Sequence, residues 1–102
     1  MSAEEVALET IKILDQIRSY VTPTSDMMYS TYNTADELFR ELDTIAEHLK
    51  REEMQWINNV NLHFLPTSTF QEHSIQNGWG DEYVAIAERF DRLYAEYLKL
   101  KG

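Results

Sequence analysis

Residues 81–100 read DEYVAIAERFDRLYAEYLKL, and the spacing of their apolar members decides the fold class. Tyr83, Ala87, Phe90, Tyr94, Tyr97 and Leu98 recur at the period of an amphipathic helix, and Asp81 is the residue expected to cap its start. Ile86, Leu93 and Leu100 flank that aromatic stripe and widen the apolar arc to roughly 200°, against roughly 100° for a helix buried on one side. A helix so apolar is either central in a bundle or packed against another chain.

Upstream of this stretch, Ser68 with Gln71 makes a capping pair, Phe70, His73 and Ile75 supply apolar positions, and Asn77-Gly78 is a stop, which gives a short helix over 68–77. Between the two helices, Trp79 sits bracketed by Gly78 and Gly80. It either seals the turn by packing on the helix ends or serves as a binding anchor.

At the other end of the chain, Ser2 and Glu5 form a capping box ahead of a helix over about 3–20. Val6, Thr10, Ile13, Leu14, Ile17, Tyr20 and Val21 mark its inner face, while Leu8 and Ile11 point away from it and need a second cover. In the middle, Met28, Tyr32, Ala35, Leu38, Leu42, Ile45 and Leu49 define another helix. Its start is either near 24, after Pro23, or near 34, where Thr34 and Glu37 form a second capping box. The stripe continues through Glu53, Trp56 and Val60, so a single helix to about residue 60 is expected, broken over Asn61 to Pro66. No segment alternates as a strand does. The expectation is an all-α fold, a small bundle of about four helices (3–20, 24/34–60, 68–77 and 81–100), forming one domain over 1–102.

Composition narrows the function. With 43% apolar residues in 102, a core is attainable without cross-links, and the absence of cysteine removes disulfides, thiolate zinc sites and cysteine nucleophiles. An acidic start and the lack of a long apolar run lead us to expect a cytoplasmic protein with no membrane span. The net charge is −9, and the excess is concentrated in residues 23–66, where eight acids face three bases. Direct nucleic-acid binding is disfavoured, and a basic protein partner would be attracted.

Candidate chemistry is sparse. His48, His63 and His73 stand at no metal-pair spacing, so no metal or other cofactor is expected. The helical acid pairs Glu37 with Glu41 and Glu88 with Asp91 resemble the magnesium-binding pairs of all-helical nucleotide pyrophosphatases, which would imply a divalent-metal hydrolase. The doublets Glu4-Glu5 and Glu52-Glu53 lack the further acid that those enzymes place a turn later. The run from Ala46 through His48 to Arg51 resembles the motif of histidine phosphotransfer domains, which would make His48 the phosphoryl carrier and Arg51 its cation. There Glu52 stands where that family has glycine. No nucleophile elbow, phosphate-cradling loop or Ser-x-x-Lys occurs.

The reading that remains is a non-enzymatic protein-binding module, regulatory or neutralising, that works as a homodimer. Its candidate contact residues are Leu8, Ile11, Trp79, Ile86, Leu93 and Leu100. Bacteriocin immunity proteins are similar in size and charge, with no motif in common. Asp26 to Tyr32, rich in Met and Tyr, is an adaptable surface or core filling.

Overall fold

The computed structural model describes residues 1–22, 34–65 and 69–101. The Met28 and Tyr32 positions, the Asp26 to Tyr32 segment and the Ser68 cap lie outside them. Over the described residues the chain is all-α: α1 (Ala3–Tyr20), α2 (Ala35–Lys50), a 3-10 turn (Met54–Trp56), α3 (Ile57–Phe64), α4 (Thr69–Asn77) and α5 (Gly80–Lys101). The bundle thus holds five α-helices among the described residues, where four were expected.

α1 starts as its residues dictate. Ser2 Oγ accepts from the Glu5 amide at 3.1 Å while Glu5 Oε1 accepts from the Ser2 amide at 3.3 Å, so two of the free donors at the helix end are satisfied. Val6, Ala7, Thr10, Ile13, Leu14 and Ile17 are buried, and the Thr10 hydroxyl donates to the Val6 carbonyl at 2.7 Å, so its burial leaves no free polar group. α1 packs between α2 and α5.

α5 is the long member. Its 22 residues span about 33 Å, most of the 38 Å long axis of the molecule. The buried positions are Tyr83, Ile86, Phe90, Leu93 and Tyr97, an alternation of three and four residues. The expected inner face is therefore rotated: Ile86 lies near its centre rather than on its flank and Leu93 at its edge, while Leu98 and Leu100 are exposed. The shift follows from α5 contacting α1, α3 and α4 together, which sets the inward direction by its neighbours rather than by its aromatic residues. The cap expected at Asp81 is also displaced. The Tyr83 amide donates to the Trp79 carbonyl at 2.9 Å, so the helix is already under way at Asp81, where the acid instead complements the helix dipole.

The main departure is at the end of α2. The helix begins at the later of the two candidate starts, with Thr34 extended and its Oγ1 accepting from the Glu37 amide at 3.3 Å, but it stops at Lys50 instead of running to 60. The Glu52 amide bonds to the Leu49 carbonyl at 3.0 Å and the Glu53 amide to the His48 carbonyl at 3.1 Å, the paired bonds of a Schellman turn, with Glu52 at φ 60°. A continued helix would have turned Glu53 toward the core. Instead the chain bends, and the Glu53 carboxylate meets His48 Nδ1, whose ring stacks on Trp56 at 4.0 Å. The left-handed conformation penalises a side chain bearing Cβ. Glu52→Gly is therefore expected to stabilise the fold by about 0.5–1 kcal/mol, seen as a higher urea midpoint; a lower midpoint would show that Glu52 contributes something this geometry does not explain.

The Asn61 to Phe64 stretch, expected to break the pattern, is the last half of α3. Packing overrides its weak propensity, because Phe64 reaches inward to Phe70, Tyr83 and Phe90. Leu65 is extended, as suits the residue before Pro66. At the end of α4, Gly78 takes φ 82° and the Trp79 amide returns to the Ser74 carbonyl at 2.9 Å, which confirms the expected stop at Asn77-Gly78.

Candidate protein-binding groove

Where α1 and the C-terminal half of α5 lie side by side, they leave a surface groove of about 610 Å³. Two of the six residues expected from sequence to form a contact surface meet there. Leu8, on the outer face of α1, is 52% exposed, and Leu93, at 8%, lies beneath it on α5. The other four are elsewhere. Ile11 is half-buried against the core, Leu100 is exposed near the end of α5 but does not line the groove, and Ile86 and Trp79 are interior. At 1% and 3% exposure these last two have no surface to offer a partner. The Trp79 ring stacks on Tyr20 at 4.6 Å and its indole N–H donates to His73 Nδ1 at 3.0 Å. It seals the α4–α5 junction, the first of the two uses its sequence allowed.

The charged lining went unnoticed in the sequence. Toward the start of α1 the groove carries Glu5, with Glu96 of α5; toward the middle of α1 it carries Lys12, with Arg89 of α5; Glu9 and Arg92 lie between. The helices run antiparallel here, with Arg89 bonded to Gln16 at 2.8 Å and the Met1 ammonium 3.4 Å from Glu96, so the acids gather at one end, that ammonium among them, and Lys12 and Arg89 at the other. With the Met1 ammonium counted, three acids face four cations, so the lining carries one positive charge in a chain whose total is −9, and Lys12 pairs with Glu9 at 2.9 Å. The signal available in sequence was the pair Arg89 and Arg92, three residues apart and so on one side of α5.

The residues proposed for chemistry are dispersed. His48 is pinned by Glu53 and lies flat on Trp56, so one nitrogen and one ring face are engaged. Glu88 and Asp91 are exposed on α5, and among the described residues no three His, Asp or Glu side chains converge as metal ligands. Glu41 instead faces His63 Nε2 at 3.7 Å, and His63 Nδ1 lies 3.3 Å from Thr69 Oγ1, so that this imidazole ties α2, α3 and α4 together.

Burial holds the His63 pKa below its ordinary 6.5, and the Glu41 carboxylate offsets this only in part. The unfolded chain therefore takes up a proton on this ring at a higher pH than the folded one. The stability this creates is fully present above 6.5 and is lost as pH falls from there toward the folded value. Wild type is expected to lose more stability than His63→Gln between pH 7.5 and pH 5.5, measured by urea unfolding; equal losses would contradict a depressed His63.

Compared with family models, curated proteins and solved structures, the chain gives no match.

Proposed function

We propose that this chain is a non-catalytic protein-binding module whose contact surface is the groove between α1 and α5, acting on its partner by occupancy rather than by chemistry. The observation that carries the reading is Leu8, an apolar side chain held half in solvent beside a buried leucine and ringed by six charged residues. Apolar centres with charged rims are how protein surfaces meet one another. A cleft of this volume falls within the range of small-molecule sites, roughly 300–1,000 Å³, but such sites aim a few buried polar groups inward. Here Lys12 and Arg92 extend into solvent. The acidic excess lies mostly outside the groove, so it does not supply the docking contacts.

The test is affinity capture from the native cell with wild type, Leu8→Glu and, as a control on α3, Leu62→Glu. A protein retained by wild type and by the Leu62 variant, and reduced about tenfold or more by Leu8→Glu, is the expected result. Equal capture by all three would exclude the groove. A label transferred from a phosphodonor to wild type and absent from His48→Gln would replace this reading with phosphotransfer.

A further inference from the structure

We infer that the protein occupying the α1–α5 groove is a second copy of the same chain, joined across a twofold axis that runs through the groove. This rests on the groove being a protein-binding surface and names the partner that fits it. A twofold interface places a patch against itself with its ends exchanged, so the patch must be complementary to its own reverse. This one is. Exchange of ends sets Glu5 and Glu96 of one copy against Lys12 and Arg89 of the other, and sets them again in the opposite sense across the axis. Glu9 and Arg92, near the middle, lie at the axis, where each Glu9 keeps the Lys12 of its own chain at 2.9 Å. Leu8 stands between the two ends, where two copies would cover each other's exposed leucine and the Leu93 below it.

The rest of the molecule argues for the same occupant. Two chains of −9 each repel wherever their net charge is expressed, and on α2 the acids Asp36, Glu37, Glu41, Asp43 and Glu47 outnumber Arg40 and Lys50. The groove is a face on which that repulsion is absent, because its lining holds four cations, the Met1 ammonium among them, against three acids. α2 contributes nothing to the lining, so the acidic side stays outside the contact.

The experiment is sedimentation equilibrium across a hundredfold dilution series, at low and moderate salt. Wild type is expected to shift with concentration toward twice the 12.0 kDa of one chain. Leu8→Glu, a surface change that leaves the helical circular dichroism and melting temperature intact, should weaken association about tenfold or more. The decisive arm uses charge. Glu96→Arg and Arg89→Glu should each be monomeric alone, since the changed residue meets a like charge on a second copy of itself, and an equimolar mixture of the two should recover the dimer. A wild type monomeric throughout overturns the inference, as does a dimer that both Leu8→Glu and Arg89→Glu leave unchanged. If wild type is monomeric while Leu8→Glu still abolishes capture of a different protein, the binding-module reading stands and the second copy is the wrong partner. If neither association nor capture depends on Leu8, both fail.

Discussion

Trp79→Ala is expected to cost about 3–5 kcal/mol, a large fraction of the roughly 5–15 kcal/mol that holds a domain of this size together. The reason is the number of elements that one indole joins. Its ring lies parallel to Tyr20 from α1, meets Tyr83 of α5 edge-on at 6.1 Å, and its N–H reaches His73 of α4. Truncation opens a cavity among three helices and strips the buried His73 Nδ1 of its indole donor, and the two penalties add. Trp79→Phe separates them: it keeps most of the ring but not the N–H, and should lose about 1–3 kcal/mol. Urea unfolding followed by circular dichroism measures both. A loss below about 1 kcal/mol for the alanine variant would mean that the indole is not the seal its burial implies, and would reopen its use as an anchor for a partner.

Phe90→Ala is expected to be of similar severity, about 3–5 kcal/mol. Phe90 is fully buried, stacked on Phe64 of α3 at 4.6 Å and on Tyr94 of its own helix at 5.9 Å. α3 is only eight residues long and has no side-chain cap at its start, so it depends on such contacts rather than on its own helical propensity. Its removal should therefore unfasten α3 before the rest of the bundle. Leu100→Ser on the same helix should change stability by no more than about 0.5 kcal/mol, being a surface position. Comparable losses for the two variants would show that α5 is not buried along the stripe running from Tyr83 to Tyr97.

Much of the local structure was written in residue spacing. The capping box of Ser2 and Glu5, the Thr34 cap and the Gly78 stop each act within a few residues, so their chemistry is complete in a short stretch of chain and could be read there. The core positions of α1 and α2 likewise follow from a repeat of three and four. Glu53 marks the limit of such reading. The period carries the apolar stripe across it from Leu49 to Trp56, yet the chain turns at Glu52, because the carboxylate finds His48 when the helix ends and would face the core if it continued.

Sequence alone thus determined the helical class and the caps at Ser2 and Thr34, which are set by neighbours along the chain. Tertiary structure decided which surplus apolar residues were consumed and which remained. Ile86 and Trp79 went inside, Leu8 stayed out, and charged side chains from residues 5–12 and 89–96 came to line one groove. Burial depends on what stands across from a residue in space, and that is fixed only once α1 and α5 have packed together.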